Sequence, residues 1–184
     1  MRKFYSEYIG EAFVLYHDQQ FNDITPKIEV KTEILPLHSL GRKVAKEVIN
    51  LQGRQAFMYL YFTYGSKETL LALAWVGEQL AHVEWVVPYK KCRRRYPIIP
   101  EKMCMISASQ TIPPFRGNRI FPFVLQRICR HTPGWDEYWI LVNEKNAASI
   151  KGIEKAGARH VGRFIQKLWL WGCFTNIKYY PDKS

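Results

Sequence analysis

Apolar positions change period several times along this chain, and each change marks an element. Over residues 27–35 (KIEVKTEIL) apolar and charged residues alternate through Ile28, Val30 and Ile34, which predicts an exposed strand ended by Pro36. From His38 to Leu51 the interval lengthens, with Leu40, Val44, Val48 and Leu51 at helical spacing. Ala56–Tyr64 and Leu70–Val76 then read as two strands, and Val76-Gly77-Glu78-Gln79 turns the chain into another, Leu80–Val87, which predicts an antiparallel hairpin. After a loop from Pro88 to Pro100, Met103–Thr111 is a strand running into Ile112-Pro113-Pro114 and the turn Phe115–Arg119. Ile120, Phe123, Val124 and Ile128 form the stripe of an amphipathic helix that reaches about Arg130.

Tyr138–Val142 (YWILV) has no polar alternation, as expected of a short strand buried on both faces. Asn143–Asn146 leads into a helix with Ile150 and Ile153 inward, and Gly157 stands where a C′ glycine ends it. Val161–Trp171 is a final strand, with Asn176–Tyr180 a candidate partner, while residues 1–26 carry aromatics without a clean period. A meander of antiparallel strands followed by strand–helix–strand–helix–strand predicts one α/β domain over residues 1–184, built on a single mixed sheet.

Composition adds one unusual feature. Hydrophobic residues are 47% and charged residues 23%, ordinary for a globular chain of 184 residues, but 27 Lys+Arg against 16 Asp+Glu leave +11. Such a surface attracts anions: nucleotide phosphates, nucleic acid, acidic glycans or lipid headgroups. Cys92, Cys104, Cys129 and Cys173 form no CxxC pair, and Cys129-x-His131 has no second ligand pair nearby, so reduced thiols and no metal site are expected. Glu7 and Glu11 interrupt any signal-peptide core, and Leu70–Val87 contains Glu78, Gln79, His82 and Glu84, too polar for a membrane span. A cytoplasmic location is the expectation.

Candidate chemistry sits at the junction of Met103–Thr111 with its helix. A strand, a basic turn and a helix start make an anion cradle, because first-turn N–H groups point out of the helix and its dipole favours negative charge there. Two stretches, Thr111-Ile112-Pro113-Pro114-Phe115-Arg116-Gly117-Asn118-Arg119-Ile120-Phe121 and Leu141–Gly162, together resemble the GNAT superfamily of acyl-CoA-dependent N-acetyltransferases. The first matches that family's V-x-P-x-x-R-G-x-G-x-G/A signature. In the second, Asn146, Ser149, Glu154, Lys155 and Gly157 match the strand, N-x-x-(A/S) and E-K-x-G pattern. The resemblance covers about residues 57–170, and residues 1–56 match poorly.

The resemblance implies a mostly antiparallel sheet flanked by helices, with a splayed pair of parallel strands whose gap takes the pantetheine arm of acetyl-CoA. Backbone groups around Gln110, Thr111 and Ile112 would bind that arm. Arg116 and the amides of Gly117, Asn118, Arg119, Ile120 and Phe121 would hold the pyrophosphate, with Asn146 and Ser149 touching from the other side. The chain departs from the family at Arg119 and Phe121, where small residues are usual. It departs again at Ile153, where many relatives carry a proton-donating tyrosine, and at Ala158 in place of an aromatic.

Acyl transfer to an amine needs a neutral amine, a polarised carbonyl and a thiolate that can leave. The strand Met103–Thr111 has no carboxylate, but His82 and Glu84 share one face of the preceding strand. Glu84, acting through water, is the first candidate base and His82 the second. The expected partner is a small-molecule or peptide amine. Two alternatives stand beside this reading: a family member that is inactive or takes another acyl group, and a basic nucleic-acid-binding module. The run Lys90–Arg95, with Tyr89 and Tyr96, starts roughly 30 Å of strand away from the cradle at about 3.3 Å per residue, so it is not expected to touch the cofactor.

Overall fold

The computed structural model describes residues 5–93, 95–97, 100–132, 134–169 and 174–182. In chain order the elements are β1 (Tyr5–Tyr16), β2 (Lys31–Pro36), α1 (Arg42–Gln52), α2 (Arg54–Tyr64), β3 (Leu70–Val76), β4 (Gln79–Pro88), α3 (Tyr89–Cys92), β5 (Met103–Thr111), α4 (Ile120–His131), β6 (Glu137–Asn143), α5 (Ala147–Lys155), β7 (Arg159–Trp169) and β8 (Phe174–Pro181). The strands form one sheet in the order β2-β3-β4-β5-β6-β1-β7-β8, in which β5·β6 is the parallel pair and the other pairs are antiparallel.

Each face of the sheet carries its own core. Ile120, Val124, Leu125, Ile128 and Cys129 of α4, with Ile153 and Ala156 of α5, pack on one face against Val86, Cys104, Ile106 and Ile140. Val48 of α1 and Phe57 and Tyr64 of α2 pack on the other face against Leu71, Leu73, Val83, Trp85 and Met105. Side-chain alternation along β4 therefore sends His82, Glu84 and Val86 towards α4 and α5, and Val83, Trp85 and Val87 towards α1 and α2. No helix among the described residues is long and apolar enough to cross a membrane.

Two sequence expectations are corrected here. Ala56–Tyr64 is not a strand but the body of α2. Its aromatic run has strand-like composition, yet Phe57 and Tyr64, two turns apart, are the buried pair, while Met58, Tyr59, Tyr61 and Phe62 stay exposed. The unassigned N-terminal segment is β1, a 12-residue strand between β6 and β7. Its Ala12, Phe13, Val14 and Leu15 are all buried, since both faces of an interior strand are covered, and that removes the polar alternation a periodicity reading depends on. Gly10 of β1 has no room for a Cβ, which would overlap the Phe164 ring and the Val142 carbonyl.

Smaller differences are boundary shifts: the first predicted strand begins at Lys31, α1 at Arg42, and the loop after β4 holds the single turn α3. The last predicted strand begins at Arg159 and pairs with β8 as expected, and positions 170–173 lie outside the described residues.

Candidate active site

β5 and β6 pair only from Met103↔Glu137 to Ile106↔Ile140. Beyond that point β5 stays with β4, ending at His82↔Thr111, while β6 stays with β1, ending at Gly10↔Asn143. The two parallel strands therefore diverge towards their C-terminal ends, and residues 107–111 have no ladder partner on the β6 side. A bulge accompanies the split: between Trp85↔Ser107 and Val83↔Gln110, the single residue Glu84 faces both Ala108 and Ser109. Ala108 takes a left-handed conformation there (φ 54°). Gln52 secures it, donating from Nε2 to the Ala108 carbonyl (3.3 Å) and accepting the Trp85 indole N–H (3.1 Å).

Past Thr111 the chain makes a 3-10 turn, Pro113–Phe115, then Gly117 (φ 80°) and Arg119 (φ 64°), and α4 starts at Ile120. This alternation leaves the N–H groups of Gly117, Asn118, Arg119, Ile120 and Phe121 with no acceptor among the described residues. They form a concave run of donors at the positive end of a 12-residue helix. The turn is braced by Arg116 Nε donating to the Thr111 carbonyl (3.0 Å), by Asn118 Nδ2 to the Phe115 carbonyl (3.2 Å), and by the Lys27 amide to the Asn118 carbonyl (3.1 Å).

The cradle opens on a cavity of about 560 Å³ between α4, α5 and the end of β5. Its cations are Arg116, Arg119, Lys151 and Lys155, and no carboxylate lines it among the described residues. Lys151 and Lys155 were not singled out as ligands from the sequence. The signal for them is the i, i+3, i+4, i+7 spacing of Ala148, Lys151, Gly152 and Lys155, which puts all four on the helix face that lines the cavity.

Of the residues chosen from sequence, His82, Gln110, Thr111, Arg116, Gly117, Arg119, Ile120, Phe121, Asn146 and Ser149 line the cavity, and Glu84, Ile112 and Asn118 do not. Both backbone groups of Ile112 are already engaged, its N–H by Ala81 and its carbonyl by Phe115. Gln110 turns its side chain to the Leu51 carbonyl of α1 (2.8 Å). Asn146 caps α5, its Oδ1 accepting from the Ser149 amide (3.2 Å). The Phe121 ring fits against Gly152 of α5, where a Cβ would come within 2.6 Å, and lies 5.8 Å from the His82 ring.

Glu84 is fully buried beneath α4, close enough to Cys129 that its charge, after burial itself, helps push that thiol's pKa up. Neither carboxylate oxygen has a hydrogen-bond partner among the described residues. His82 Nε2 lies 3.4 Å from Oε1, and His82 Nδ1 lies 2.7 Å from the Thr111 hydroxyl. Ile153 is 1% exposed in the apolar core, so this α5 position offers no proton donor.

No family model matches the chain, and no curated protein matches it in sequence. Solved structures do match its shape. An acetyltransferase of the GNAT family from Colwellia psychrerythraea aligns with TM-score 0.61 at 14% identity, over 87% of this chain and 56% of that one. A GCN5-related N-acetyltransferase from Sphaerobacter thermophilus aligns with TM-score 0.60 at 14% identity, over 90% and 53%. A conserved protein of unknown function from Staphylococcus epidermidis gives TM-score 0.60 at 12% identity, over 89% and 60%. The chain thus has the GNAT fold, as the sequence resemblance implied, and spans 53–60% of the length of these structures.

Proposed function

We propose that this chain is an acyl-CoA-dependent N-acyltransferase that moves an acetyl group from acetyl-CoA to a primary amine. The observation that carries the reading is the run of five amides from Gly117 to Phe121, unpartnered among the described residues, at a cationic cavity that Gly117, Arg119, Ile120 and Phe121 line beside two diverging strands. Amides at a helix start suit a pyrophosphate, and four cations without a carboxylate suit a ligand with several phosphate charges. The family's small residues are not required for this. Arg119 reaches the left-handed conformation without being glycine, and Gly152 leaves room for the Phe121 ring.

In this reading Arg116, Arg119 and the Gly117–Phe121 amides hold the pyrophosphate, and Lys151 and Lys155 take a further phosphate. The open backbone edge of residues 107–111 binds the pantetheine arm, and Asn146, with its Nδ2 free of the cap, contacts it from α5. The thioester supplies the activated acyl group. Proton transfer falls to His82, with Glu84 acting through it because burial withholds that carboxylate from the cavity.

Isothermal titration with acetyl-CoA, followed by CoA release across a panel of amino sugars, polyamines and peptides, tests the reading. Micromolar binding and turnover with at least one amine are expected. No heat of binding up to about 100 μM ligand, weaker than roughly −5 kcal/mol, refutes it.

A further inference from the structure

Glu84, His82 and Thr111 form a line of polar groups under an apolar helix. Their neighbours on the same face of the sheet, Val86, Cys104 and Ile106, are all hydrophobic. Burying a carboxyl group whose oxygens have no hydrogen-bond partner among the described residues, with the His82 imidazole 3.4 Å away, is costly, so a purely structural site would favour an aliphatic side chain here. Neutral imidazole donates from one nitrogen and accepts at the other. In the tautomer with its N–H on Nε2, which faces Glu84 Oε1 at 3.4 Å, Nδ1 accepts from the Thr111 hydroxyl at 2.7 Å. His82 Nδ1 is thereby engaged while Nε2 faces the buried Glu84, and the member of the line whose hydroxyl reaches a ligand is Thr111, at the cavity wall beside the open strand edge. Ile153, buried in the apolar core, supplies no proton donor from its own position on α5.

We infer that Glu84, His82 and Thr111 are a proton relay whose working end is the Thr111 hydroxyl, which carries the amine's proton to the departing thiolate. The inference rests on the acyltransferase reading above. As the amine nitrogen bonds to the thioester carbon, its surplus proton passes to Thr111 Oγ1 while the hydroxyl's own proton moves to His82 Nδ1, giving an imidazolium held by Glu84. When the C–S bond breaks and its electron pair leaves on sulfur, the same path runs backwards: His82 returns a proton to Oγ1, and the hydroxyl proton goes to the thiolate. The balance is one amide and one CoA thiol, with all three residues restored. Thr111 is the catalytic group in this scheme, and His82 and Glu84 are positioning residues that set its acidity.

The test combines kinetics with binding on the intact protein. Thr111→Val, which keeps the shape and removes the hydroxyl, lowers kcat about 100-fold while the KM for acetyl-CoA stays within about twofold, and Thr111→Ser recovers to within about tenfold of wild type. In wild type, kcat measured across H2O/D2O mixtures falls along a bowed curve, the mark of more than one proton in motion; this needs no variant and holds even if Thr111→Val fails to fold. In the imidazole NMR spectrum, bound CoA shifts the His82 ring signals of wild type more than those of Thr111→Val. Turnover unaffected by Thr111→Val, a straight isotope plot, or an acetyl group retained on Thr111 overturns the relay while leaving the acyltransferase reading intact. Failure to bind acetyl-CoA, or binding without transfer to any amine, refutes that reading and removes the relay with it.

Discussion

The fit of Phe121 against Gly152 makes a prediction whose sign reverses with background. In Gly152→Ala the new Cβ stands 2.6 Å from Phe121 Cδ1 and 2.9 Å from Cε1, and ordinary contact starts near 3.4 Å. The ring must therefore retreat by about 0.8 Å into a packed neighbourhood, a strain of roughly 1–3 kcal/mol. Replacing glycine inside α5 opposes this by about 1 kcal/mol of helix propensity. The expected net effect is a loss of about 1 kcal/mol. When Phe121 is already alanine the clash is gone and the propensity gain remains, so the same substitution should stabilise by up to about 1 kcal/mol. A denaturant double-mutant cycle on the four proteins reads the difference, a coupling of about 2 kcal/mol. Additivity within about 0.5 kcal/mol would show that the contact carries no strain and refute the packing argument. Phe121 and Gly152 both line the cavity, so acetyl-CoA affinity should fall in Gly152→Ala and recover in the double variant.

Other expectations follow from the same geometry. Gly117→Ala meets no atom within 4 Å, so its cost is the left-handed backbone alone, about 1 kcal/mol, and weaker acetyl-CoA binding by titration should accompany the small loss of stability. Gln52→Leu strands the Trp85 indole N–H, fully buried against α1 and α2, and should cost about 1–3 kcal/mol in urea denaturation while loosening the Ala108 bulge. Partial burial lowers the pKa of His160, but hydrogen bonds and charge from Glu11 and Asp182 outweigh it and hold the folded value above the usual 6.5. A folded pKa above the unfolded one means that the His160 contribution is complete below the unfolded value and is lost as pH rises through the folded one; Tm across that window should decline less in Asp182→Asn than in wild type. Burial raises the pKa of the Cys92, Cys104 and Cys129 thiols, so brief alkylation of the native protein followed by peptide mass mapping should leave all three unmodified.

The second half of the fold was legible from sequence because its signals are local. Pro113, Gly117 and Gly157 punctuate the turns, Asn146 caps its helix, and the Ile120–Ile128 stripe survives because α4 has a wet side. β1 and α2 were opaque for opposite reasons: β1 is covered on both faces, and α2 exposes aromatics that composition assigns to a strand. In the site, Arg116 and the amide run were readable from their motif. The inaccessibility of Glu84 was not, because a period of two gives the face of a strand and says nothing of the helix that later covers it. Lys151 and Lys155 carried no ligand reading from sequence, because their place on the cavity wall depends on α4 and α5 lying side by side.

The position of β1 also bears on the order in which the protein assembles. β1, the first of the described strands in chain order, lies between two that come late in it, with Gly10 opposite Asn143 on one side and Phe164 on the other. β2 to β5 and the cradle can associate as they emerge, but β6 keeps an open edge until the N-terminal segment returns across nearly the whole chain. Closing so long a loop delays folding. The half of the cleft that carries Asn146 and α5 is therefore the last to acquire its final shape, and a slow refolding phase should coincide with the recovery of ligand binding rather than with the recovery of secondary structure.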